Sequence, residues 1–105
     1  MGWKRFTDTV SFGMRRTGKY AKWDDYVHRV PIPAGVTPTS VVIQGMAQAG
    51  IEFQSEAELP IPYAGVHNGA WFKVLGVAIE GDHVNISCQY QLHECDGTLK
   101  VRLAA

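Results

Sequence analysis

The sequence predicts an all-β domain, an antiparallel sandwich or jelly-roll-like barrel of about seven to eight short strands. Three observations point there. No window shows helical periodicity. Residues 84–92 alternate strictly between apolar and polar. Glycine and proline punctuate the chain throughout, with 11 Gly and 5 Pro in 105 residues.

Taken in chain order, residues 1–8 read as an extended arm at the head of a single domain spanning 1–105. Val10, Phe12 and Met14 then alternate with Ser11 and Gly13. Strands are expected from Tyr20 to Val30 and from Ser40 to Ala47, with a return from Ile51 to Ser55 after Gln48-Ala49-Gly50. The segment Val30-Pro-Ile-Pro-Ala-Gly-Val36 recurs as Leu59-Pro-Ile-Pro-Tyr-Ala-Gly-Val66. Proline cannot donate to a ladder, so both copies must be extended connections or sheet edges. Each copy precedes an apolar strand and a glycine turn, which suggests two halves packed face to face.

The C-terminal part is the most regular. Val84, Ile86, Cys88, Tyr90 and Leu92 share one face of a strand, and Asn85, Ser87, Gln89, Gln91 and His93 the other. The Gly81-Asp82 turn sets Ile79 against Val84, Val77 against Ile86, Leu75 against Cys88 and Trp71 against Leu92. Asp96-Gly97 suits a two-residue type I′ hairpin, whose central positions both need φ > 0. It sets Leu92 against Val101 and Gln91 against Arg102. The expectation is a three-stranded meander over 71–103. Lys73 then lands opposite Tyr90, so either its stem snorkels past the rings or a bulge near Phe72 re-aims it.

Composition narrows the function classes. At 46% hydrophobic and 19% charged the chain is globular, and its apolar runs are too short for a membrane-spanning helix. The start, Met-Gly-Trp-Lys-Arg-Phe, lacks the apolar stretch of a signal peptide, which implies cytoplasmic synthesis or a mature fragment. Position 6 is Phe, which argues against myristoylation of Gly2. Net charge is zero but uneven: residues 1–30 hold seven Lys or Arg against three Asp, a balance of +4, while residues 31–72 hold three Glu and no cation. Such a basic head and acidic middle could attract nucleic acid, match one subunit to the next, or neutralise each other within the fold.

Few residues suggest chemistry. Cys88 and Cys95 fall on one expected strand about 23 Å apart at roughly 3.3 Å per residue, too far for a disulfide. Cys88 reads as core. His93, Cys95 and His83 lack the spacing of a metal site, and no cofactor is implied. No serine has a nucleophile-elbow context, and no glycine-rich loop opens a helix. Asp24 and Asp25 point to opposite sides of a strand, and Glu56 with Glu58 reads as an acidic loop.

The aromatics and one sheet face are more suggestive. Trp23 and Tyr26 flank two acids, and Tyr63 lies near His67 and Asn68, a chemistry suited to stacking on sugars. Lys19, Tyr20, Lys22 and Trp23 form a short basic-aromatic run of the kind that binds single-stranded nucleic acid. The competing reading puts these rings in the core. Phe72, Val74 and Ala78 are expected to face away from the core beside Gln89 and Gln91, an apolar strip to be covered by the N-terminal segment or another subunit.

With its two Pro-Ile-Pro segments and glycine turns, the chain resembles the small β-sandwich domains of tailed-phage virions, which serve as capsid decoration proteins, tail components or fibre tips. The resemblance covers the whole chain in style. It implies a non-enzymatic structural role in the virion, as a homo-oligomer or bound to other virion proteins. The expected contact residues are Phe72, Val74, Gln89 and Gln91 with the basic group Lys4, Arg5, Arg15 and Arg16. The alternative is a receptor-recognition domain for cell-surface carbohydrate, using Trp23, Tyr26 and Tyr63. A small enzyme or nucleic-acid binder ranks third, resting on the basic segment and scattered carboxylates.

Overall fold

The structure, a computed structural model, describes residues 5–14, 23–48, 52–69, 71–92 and 96–105. It is all-β. Eight strands form in order: β1 (Val10–Met14), β2 (Asp24–Pro31), β3 (Ser40–Gln48), β4 (Glu52–Pro60), β5 (Tyr63–Asn68), β6 (Phe72–Glu80), β7 (His83–Tyr90) and β8 (Asp96–Ala104). They build two four-stranded antiparallel sheets, β1-β8-β3-β4 (sheet A) and β2-β7-β6-β5 (sheet B). The inward residues of both sheets make one core, with Ile43, Leu99 and Leu103 from sheet A meeting Phe72, Val84 and Ile86 from sheet B.

The alternation at the start of the chain orients β1 as expected. Met14 is buried, and Val10 and Phe12 pack partly against the core. β2 begins at Asp24, inside the expected span, and β4 runs on to Pro60, five residues past the expected end. That extension turns Glu56 and Glu58 from an acidic loop into the outward residues of a strand whose inward residues are Ala57 and Leu59. The short β5 was not expected, because Pro62 and Gly65 (φ 146°) break up its pattern.

The Pro-Ile-Pro segments mark where the chain changes sheets. The first leads from β2 in sheet B to β3 in sheet A, and the second from β4 in sheet A to β5 in sheet B. Pro31 and Pro60 each end an edge strand, where a missing N–H leaves no ladder bond unmade. Between the prolines, Ile32 and Ile61 pack against the core. Their N–H groups donate to the carbonyls of Asp82 (2.8 Å) and Thr39 (3.1 Å).

The C-terminal meander is overturned. Gly81-Asp82 does turn β6 into β7, with Gly81 at φ 62° as a primed two-residue turn needs. Asp96-Gly97, however, lies inside β8, which crosses to sheet A and inserts between β1 and β3. Arg102 pairs with Val42 rather than Gln91, and Val101 with Ile43 and Val10 rather than Leu92. The glycine is there for a different reason: a Cβ at Gly97 would lie 2.8 and 2.9 Å from the Trp71 ring.

The β6–β7 register holds as far as Val77 opposite Ile86 and then shifts between Val74 and Gly76. This one-residue bulge reverses the sidedness of everything before it. Cys88 faces Val74 instead of Leu75, and Tyr90 faces Phe72 instead of Lys73. Phe72 and Val74 are therefore fully buried, and of the apolar strip expected on the outside only Ala78, beyond the bulge, stays exposed. The ends of the chain hold each other. Phe6 bridges to Ala104, Thr7 N–H donates to Leu103 O (2.9 Å), and Ala105 N–H donates to Arg5 O (2.9 Å).

Candidate functional site

The residues singled out from the sequence scatter. Phe72 and Val74 are enclosed and cannot touch a neighbour. Lys4, Arg15, Arg16, Lys19, Tyr20, Lys22, His93 and Cys95 lie outside the described residues, and Arg5 is exposed beside the C-terminus. Gln89 and Gln91 are half-buried. Gln89 Nε2 donates to Asp25 Oδ1 at 2.7 Å across β2 and β7. Lys73, turned outward by the bulge, places its ammonium 4.0 Å from the centre of the Trp23 ring. A small polar cluster of Trp23, Asp25, Lys73 and Gln89 results on the outer face of sheet B.

The three candidate stacking rings do not form one platform. Trp23 belongs to that outer cluster. Tyr26, half-exposed, leans on His28 (4.5 Å between centroids) and Tyr90 (6.4 Å) on the inner side. Tyr63 packs against the core from β5, three strands from β2 and so about 14 Å away laterally.

The outer face of sheet A is better organised. Register places Ser11, Lys100, Gln44 and Glu56 in one row across β1, β8, β3 and β4, and Arg102, Val42 and Glu58 in the next. A depression of about 420 Å³ lies over these rows, with Thr9 at its rim. Val42 is only 6% exposed yet stands apart from the core cluster, which marks it as the covered floor of this face. Arg102 stacks its guanidinium 4.4 Å above the Phe6 ring, and the Ser40 hydroxyl donates to Glu58 Oε1 at 3.1 Å. Among the described residues no ion pair engages Lys100 or Glu56. The face carries cations on β8 and acids on β4, with β3 between them. The alternation of Glu56 and Glu58 with Ala57 and Leu59 was the sequence signal for its acidic flank.

Two titratable groups, His28 and Cys88, lie inside the sandwich among the described residues. His28 is 1% exposed, its ring 4.4 Å from that of Phe12, and neither ring nitrogen has a partner among the described residues. Burial disfavours the charged form and lowers its pKa to about 4. Cys88 is likewise inert, its thiol pushed up to about 12 by burial. His83 engages the Asp82 carboxylate at 2.7 Å, and that contact holds the carboxyl below its usual range. Among the described residues no group of three or more His, Cys, Asp or Glu side chains is placed to hold a metal ion, and no helix is long and apolar enough to cross a membrane. Comparison of the chain with protein-family models, curated proteins and solved structures finds no match.

Proposed function

We propose that the protein is a non-enzymatic structural assembly subunit, of the kind that builds tailed-phage virions, and that it meets its neighbours through the outer faces of its sheets. What supports the reading is the outer face of sheet A. Its cations and acids are sorted onto different strands, an arrangement suited to registering one flat surface against another. The outer face of sheet B offers a second surface, with Val27 53% exposed beside Ser87 and the small residues Gly76 and Ala78 further across. Two opposed docking faces on one slab fit a subunit set between neighbours.

The test is fractionation of a lysate of cells that make the protein, on a density gradient, with detection by antibody. Comigration with capsid- or tail-sized particles is expected. Recovery only in low-mass fractions overturns the proposal.

A further inference from the structure

The outer face of sheet A is self-complementary. β3 runs between cationic β8 and acidic β4. A half-turn about an axis lying over β3 and parallel to it lays the face onto a second copy of itself. That rotation exchanges the two flanks and leaves each residue at its own level along the strand. Lys100 shares its level with Gln44 and Glu56, and Arg102 shares its level with Val42 and Glu58. Each Lys100 therefore comes to face the other copy's Glu56, and each Arg102 its Glu58.

We infer that this face is the interface of a twofold-symmetric homodimer whose axis follows β3. Every off-axis contact occurs twice, because a twofold interface presents the same patch from both sides. On the axis Val42 meets Val42, and Gln44 meets Gln44, an amide that can both donate to and accept from its own copy. Two rows of opposite charges thus close around Gln44, with the covered Val42 beneath the next row. The depression over β3 leaves the long flanking side chains room to fold inward as they pair. Packed sheets cross at about 30°, which tilts the axis by about half that angle and keeps the same rows opposed.

Electrostatics selects this axis over the other in-plane choice. A half-turn about a line perpendicular to β3 sets β8 against β8 and β4 against β4, cation on cation and acid on acid. Like charges held in contact oppose association and suppress that pairing.

The inference names one partner within the assembly reading above, and it can fail alone. A protein that comigrates with particles yet stays monomeric in isolation leaves that reading standing and removes this one. The experiment is light scattering and sedimentation equilibrium on the purified chain at low and high salt. A dimer that weakens as salt rises is expected. The double variants Lys100→Glu/Arg102→Glu and Glu56→Lys/Glu58→Lys each carry a face of a single sign, and each is expected to self-associate about a hundredfold more weakly or worse. Mixed in equal amounts, the two are expected to form a heterodimer. The variant combining all four reversals is expected to restore the homodimer. Far-UV circular dichroism and melting establish that each variant is folded. Should a double variant not fold, Gln44→Cys in a Cys95→Ser background supplies an independent readout, because a residue on the axis lies about 10 Å from its own copy and cross-links to it through a short bismaleimide. A monomeric parent protein at low salt, a dimer indifferent to both reversals, a mixture that does not pair, or a position 44 that does not cross-link overturns the inference.

Discussion

Trp71 and His28 are both polar rings enclosed by the sandwich without a hydrogen-bond partner among the described residues, and they hold their places for different reasons. Trp71 presses its ring edge onto two glycines of the opposite sheet. A Cβ at Gly97 would come within 2.8 Å of the ring and one at Gly45 within 3.1 Å, and Phe72 completes the packing edge-on at 5.2 Å between centroids. Burying an indole of roughly 150–250 Å² at about 25 cal/mol/Å² gains roughly 4–6 kcal/mol, which exceeds the ~1–3 kcal/mol of an unpaired N–H. His28 is smaller, gains less from burial, and can ionise. Its place between Phe12 and Tyr26 favours the neutral ring alone. The same lack of a partner is thus a fixed penalty for one residue and a pH-dependent one for the other.

The largest effect is expected at Trp71. Trp71→Ala opens a cavity over Gly45 and Gly97 and should lower the unfolding free energy by about 3–5 kcal/mol in urea denaturation. A loss below about 1 kcal/mol would show that packing does not outweigh the unpaired nitrogen.

Next comes acid. The folded pKa of His28 lies below the unfolded value, about 4 against 6.5, so between these pH values the unfolded chain binds the extra proton. Stability contributed by the neutral ring is whole above pH 6.5 and drains away as pH falls toward 4, by roughly 3 kcal/mol at about 1.36 kcal/mol per unit. Denaturation curves across this window should show that slope, and His28→Phe should flatten it. A slope unchanged by that substitution breaks the contrast with Trp71.

The smallest effects separate two glycines. Gly97→Ala overpacks against Trp71 and should cost about 1–3 kcal/mol, most of which disappears when Trp71 is already Ala. Gly81→Ala forces a side chain into positive φ and should cost about 1–2 kcal/mol whatever stands at 71. A double-mutant cycle measured by thermal unfolding distinguishes the two.

Those glycines also mark how far the fold could be read from sequence. Period-two alternation located most strands and oriented β1 and β7, because one face of each must be apolar. The Gly81-Asp82 turn was legible because its demand is local. Asp96-Gly97 looked the same but answers to Trp71, some 25 residues away in sequence, and no local pattern records such a contact. The bulge was half-legible: Lys73 landing opposite Tyr90 signalled one near Phe72, but no local pattern placed it at Leu75, where it turns Phe72 and Val74 inward. The charged face of sheet A was half-visible. The alternation of Lys100 and Arg102 with apolar neighbours was plain, but their alignment with Glu56 and Glu58 depends on β8 sitting next to β3, which the false hairpin concealed.

That placement of β8 has a consequence on the ribosome. The last strand fills the middle of sheet A, so while residues 96–104 remain in the exit tunnel β1 and β3 each present a bare edge of unpaired backbone. The nascent chain cannot close sheet A until residues 96–104 have left the tunnel. During that interval it depends on dilution or chaperones to keep those edges from pairing with other chains.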